Sequence, residues 1–80
     1  MDVADVDLAA ISPRAWRLLR VAAGYEQREV ERAMDDLLQA HVSMLESGSR
    51  GLSADRRRDL FEFYAAELDA DQIAVLLEHF

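Results

Sequence analysis

Eighty residues, 51% of them hydrophobic and only one a proline, make a single domain able to bury a modest core. The absence of cysteine excludes disulfides and thiolate metal sites, and no apolar run approaches the length of a membrane span. The formal net charge is -7, with nine basic residues against sixteen acids, and every basic residue is arginine. The opening Met1-Asp2-Val3-Ala4-Asp5 carries acid where a signal peptide would carry base, so a cytoplasmic location is expected.

Residues 1–12 read as an N-terminal arm or a short extra helix, with Val3, Val6, Leu8 and Ile11 set among aspartates and alanines. Ser12-Pro13 is a helix start, a hydroxyl N-cap followed by proline at the first helical position. The first helix is expected over Pro13–Ala23, with Trp16, Leu19 and Ala23 on one face and Gly24 as a left-handed cap. A second helix, about Glu26 to Met34, buries Val30, Ala33 and Met34, and its acidic opening suits the helix dipole. Asp35-Asp36 breaks it, and either aspartate can cap the next helix.

The third helix is expected from Leu37 or Leu38 to about Ser47, with Leu38, Val42 and Leu45 as its buried stripe. Ser47 to Gly51 form a loop, and Ser53 caps a fourth helix, about Ala54 to Leu68, which buries Leu60, Phe61, Tyr64 and Leu68. Asp69 and Gln72 have the spacing of a capping box for a last helix that offers Ile73, Leu76, Leu77 and Phe80 on one face and Val75 off it. No alternating strand pattern and no internal repeat is present. The expected fold is all-α, a compact bundle of about five short helices. Two of them, joined by a short polar turn and ended by Gly48, have the layout of a helix-turn-helix. Residues 13–68 would form that domain, with 69–80 as a C-terminal helix.

Charge is unevenly distributed. All nine arginines lie between Arg14 and Arg58, against seven acids there, while the other nine acids fall in the two flanks. The acidity belongs largely to the ends, and the middle is mildly basic. An acidic chain without lysine resembles proteins of salt-loving archaea, although a GC-rich genome equally favours arginine over lysine. High salt would weaken the phosphate electrostatics on which DNA binders rely.

Arg20, Gly24, Gln27, Val30, Met34, Val42, Leu45, Glu46 and Gly48 occur in an order that resembles the lambda-repressor-like, Xre/Cro-type helix-turn-helix family over residues 16–68. The resemblance implies a salt bridge from Arg20 to Glu46, a phosphate contact by Gln27 at the start of the second helix, and a third helix that reads the major groove. It also implies further backbone contacts from Arg50 and the Arg56-Arg57-Arg58 run. The chain departs from the family in three ways: the Gly24–Gly48 spacing is one residue longer, Asp35-Asp36 replaces the turn glycine, and Glu31 stands where a small residue is usual. These bear on the interhelix angle and on how closely the turn can approach phosphate.

The outward residues of the third helix are then Gln39, Ala40, Ser43 and Met44, with His41 beside them. Glutamine can pair bidentately with adenine, and alanine or methionine can touch a thymine methyl. A face free of acids in so acidic a chain suits a polyanion and equally a protein contact; the other reading is a solvated face, which in so charged a chain usually carries Glu or Arg. Three adjacent arginines at a helix start oppose its dipole, a cost that Asp55, Asp59 or a phosphate would relieve.

The functional expectation is a sequence-specific DNA-binding transcriptional regulator of double-stranded DNA, acting as a homodimer because one such domain contacts one half-site. The last helix, through Ile73, Val75, Leu76 and Phe80, is the candidate dimer interface, with a core helix of a monomer and a piece of a longer protein as the other readings. The competing function is an acidic helical protein–protein interaction module, an adaptor or antitoxin-like partner that keeps the fold without DNA. His41 and His79 are far apart and have no ligand pair nearby, so no metal is expected. No catalytic constellation or phosphate-cradling glycine loop stands out, so neither enzyme activity nor a cofactor, small-molecule substrate or membrane partner is expected.

Overall fold

The computed structural model describes residues 6–80, so the reading of Val3 lies outside the described residues. The described residues are all-α: a single 3-10 turn at Leu8–Ala10 is followed by α1 (Pro13–Ala23), α2 (Gln27–Ala33), α3 (Gln39–Ser47), α4 (Ala54–Ala65) and α5 (Ala70–His79).

Most boundaries follow from side chains that satisfy the first free N–H groups. The Asp7 carboxylate accepts from the Ala9 N–H at 3.1 Å and starts the 3-10 turn. The Ser12 hydroxyl accepts from Ala15 N–H at 3.0 Å ahead of Pro13, and the Ser53 hydroxyl accepts from Arg56 N–H at 3.3 Å. Asp69 and Gln72 form a reciprocal capping box for α5, at 2.8 and 2.9 Å. Gly24, at φ 90°, closes α1 in the left-handed region that glycine enters without strain.

The second and third helices differ from expectation. Glu26 and Met34 flank α2 in extended backbone, so it keeps only seven residues; Ala33 is exposed and Met34 half-buried. Neither Asp35 nor Asp36 caps α3. The N-cap position falls to Leu38, whose alkyl chain cannot accept a hydrogen bond. Neighbours serve the first turn instead: His41 Nδ1 accepts the Leu38 N–H at 3.1 Å, and Glu31 Oε2 accepts the Gln39 N–H at 2.6 Å. The later start also moves the core contact from Leu38 to Leu37, which are 58% and 3% exposed. Side chains of successive extended residues point to opposite sides, so only one of the two leucines can turn inward. The fourth helix ends at Ala65 rather than Leu68, because Glu67 and Leu68 close it with tighter bonds to the carbonyls of Tyr64 and Ala65, at 3.0 and 3.1 Å.

The core is built on α1. Trp16 and Leu19 pack with Val30, Leu37, Val42, Leu45, Leu60, Phe61, Tyr64 and Ile73, and Val6, Leu8 and Ile11 cover it from the N-terminal side. The Trp16 ring meets Phe61 and Tyr64 edge-on, each at 6.5 Å between centroids. Next to α1 lie α3, α4 and α5. It runs antiparallel to α5: the Ser12 hydroxyl donates to the Phe80 carbonyl at one end, and the Tyr25 hydroxyl donates to Glu67 at the other.

The packing sorts the residues of the last helix. Ile73 is buried in the core at 5% exposure and offers no free surface, while Leu76 is half-buried against the core. The capping box fixes the start at Ala70 and thereby turns Ile73 inward. Val75 and Phe80 remain exposed, and the Arg14 guanidinium lies 5.1 Å from the Phe80 ring centre.

Candidate functional site

Arg20 sits in the last turn of α1, one turn beyond Trp16, and points toward the end of α3. Its Nε donates to Glu46 Oε2 at 2.8 Å and its Nη2 to Glu46 Oε1 at 3.0 Å, a two-pronged pair with side chains only 12% and 6% exposed. The third guanidinium nitrogen, Nη1, donates to the Tyr25 carbonyl at 2.8 Å and ties down the turn that leads into α2. The hydrogen bond with Glu46 raises the pKa of Arg20 above its already high ordinary value. Tyr64 lies beneath this pair. Burial first, and then the charge of Glu46, push its phenol upward, and the buried hydroxyl has no hydrogen-bond partner.

Gln27 joins the same network. Its Nε2 donates to Glu46 Oε1 at 3.3 Å, so its amide is turned into the pair rather than outward to a phosphate. Glu46 carries two oxygens that must be satisfied at low exposure, and Gln27 at the start of α2 supplies the remaining donor. One carboxylate thus fixes α1, α2 and α3 relative to one another.

The outer face of α3 is graded. Ala40 and Ser43 are exposed, whereas Gln39, His41 and Met44 are half-buried. Beyond the helix, Arg50 and Arg56 are exposed and line a cavity of about 210 Å³ with His41, Met44 and Ser53; no carboxylate lines it. Among the described residues Arg20 is the arginine with a carboxylate within 4.0 Å, so neither Asp55 nor Asp59 pairs directly with the Arg56-Arg57-Arg58 run, although Asp55 shares the first turn of α4 with it. Arg57 is set apart from its neighbours: it is half-buried, and its Nε is enclosed without a partner.

The other end of α3 is acidic. Glu31 is bonded to its first N–H, and a second cavity of about 210 Å³ is lined by Asp35, Asp36 and Asp59 together with Arg56. In the sequence Glu31 stands out only as a departure in the second helix, since nothing in an eight-residue separation from Gln39 signals the contact. Among the described residues no three of His, Asp and Glu gather as a metal site, and no helix is long and apolar enough to cross a membrane.

The chain belongs to the family described as Domain of unknown function (DUF8599), whose model matches residues 5–57. That span holds Arg20, Gln27, Glu46, Arg50 and Arg56 and stops short of α5. No curated protein and no solved structure matches the chain.

Proposed function

We propose that this DUF8599 member is a sequence-specific DNA-binding regulator of the helix-turn-helix kind, with α2 and α3 as the two helices and α3 in the major groove. The observation that carries the reading is the Arg20–Gln27–Glu46 network, which holds α3 at a fixed angle to α1 and α2. A rigidly presented helix is what reading base edges requires. Two further features support it. The exposed part of α3 carries Ala40 and Ser43 rather than acids, and Arg50 and Arg56 lie beyond it with no carboxylate partner. Phosphate contacts from such arginines position a protein on the duplex, and Gln39, Ser43 and Met44 would read bases.

The test is a set of variants titrated against duplex DNA by fluorescence anisotropy. Gln39→Ala should weaken binding to the preferred site by about 1–3 kcal/mol and leave non-specific binding nearly unchanged. Arg50→Ala or Arg56→Ala should weaken binding to all sequences and lower the salt slope by roughly one unit each. Uniform, salt-independent behaviour of all three variants sinks the proposal.

A second reading has one observation in its favour. Glu31, Asp35 and Asp36 surround the start of α3, where a docked helix would meet the phosphate backbone, and Leu38 stands 58% exposed beside them. An acidic rim around an exposed leucine suits a protein partner with a basic, apolar surface. In that case duplex DNA does not bind, and Leu38→Ser abolishes the protein contact.

A further inference from the structure

We propose that the cleft between the 3-10 turn, the start of α1, the end of α3 and α4 binds a short aliphatic carboxylate, anchored on Arg57. The cleft encloses about 160 Å³ and lies at the start of α1, whereas Arg20 sits in its last turn. Its apolar walls are Leu8, Ile11, Pro13, Trp16 and Leu45, and Arg50 and Arg57 provide its polar groups. Gly48 keeps it open at the rim: any Cβ there would come within 3.2 Å of Pro13 Cγ.

Three observations specify the ligand chemistry. First, the Arg57 Nε is buried and has no hydrogen-bond partner, and enclosed donors in folded proteins are otherwise almost always satisfied. Second, neither Arg57 nor Arg50 has a carboxylate within 4.0 Å among the described residues, although the chain carries sixteen acids. The unmet group is therefore a cation with a planar fork of donors, which matches a carboxylate. Third, the walls are hydrocarbon. A water molecule needs about 10–15 Å³ and two to four polar partners, and this cleft is far larger and offers few. A phosphate could use the same two guanidinium groups but would leave the hydrocarbon walls uncovered. A short hydrocarbon chain ending in a carboxylate satisfies both the walls and the arginines. This inference does not rest on DNA binding, although Arg50 is common to both proposed sites.

Trp16 is the sole tryptophan and lines the cleft, so its fluorescence reports occupancy directly. The full chain is titrated with sodium butyrate, with butanamide as the neutral isostere and sodium chloride as the ionic control. Butyrate should shift the Trp16 emission saturably in the millimolar range, as suits a ligand of so few atoms. Backbone amide signals of Leu8, Leu45 and Arg57 should move with it. Butanamide should act at least tenfold more weakly, chloride should have no saturable effect, and Arg57→Gln should lose the butyrate response with its helical circular dichroism intact. If Arg57→Gln unfolds, Leu8→Phe decides: by filling the cleft it should remove the response while Arg57 remains. Equal responses to butyrate and butanamide, no saturable response to butyrate, or a response that survives Arg57→Gln or Leu8→Phe overturns the proposal.

Discussion

Glu46 is the acceptor on which three helices converge, and the cost of changing it depends on the groups it would leave behind. Glu46→Ala strands the Arg20 guanidinium and the Gln27 amide at low exposure, and a destabilisation of about 3 kcal/mol is expected in chemical denaturation. Replacing both charges with apolar side chains, Arg20→Met with Glu46→Leu, should recover most of that loss, because an apolar pair needs no partners. Tyr64 behaves oppositely. Its hydroxyl is buried without a partner, so Tyr64→Phe should leave stability unchanged or raise it by up to about 1 kcal/mol. The sign of its pH effect is fixed by the raised folded pKa. The folded state holds the phenol proton while the unfolded chain releases it, so stability is full below the ordinary tyrosine value of about 10 and falls as pH rises above it. A wild-type midpoint that declines above pH 10 no faster than that of Tyr64→Phe would contradict this account.

At the scale of elements, residues whose role is local were the legible ones. Ser12, Ser53, Asp69 and Gln72 cap their helices as their types and spacing imply, because a cap needs only its own next three residues. Ser53→Ala should accordingly cost about 1 kcal/mol. Trp16, Leu19, Val42, Leu45, Leu60, Phe61 and Tyr64 were legible as core from periodicity alone. The connection between α2 and α3 was not. Its outcome depends on Glu31 reaching across eight residues to Gln39, a contact that no local propensity encodes, and on His41 capping Leu38 in place of an aspartate. The consequence is specific: Leu37→Ala should cost about 2–4 kcal/mol and Leu38→Ala close to nothing, measured by thermal unfolding. The Arg20–Glu46 pair was implied by family resemblance rather than by spacing, and the inward turn of Gln27 needed the three-helix geometry. For the same reason, the cleft beside Trp16 has no counterpart in the sequence pattern: its walls come from four separate segments.

Across the whole molecule the dominant fact is charge. Nine acids in the two flanks, against a mildly basic middle, repel one another when unscreened. The proposed salt-adapted character then predicts partial loss of helical circular dichroism at low ionic strength and recovery toward molar salt; a signal constant over that range would count against it. The longest extent of the fold is 28 Å, shorter than the roughly 34 Å of one DNA turn, so one copy would reach a single half-site and specific binding would call for two. With Ile73 buried in the core, Val75 and Phe80 are the residues of the proposed dimer surface that stand exposed. The central claim, that α3 enters DNA, is tested most directly by titrating the wild-type chain against duplex DNA over a salt series. Binding whose affinity falls log-linearly with rising salt is the predicted result. No binding at any salt concentration would contradict it.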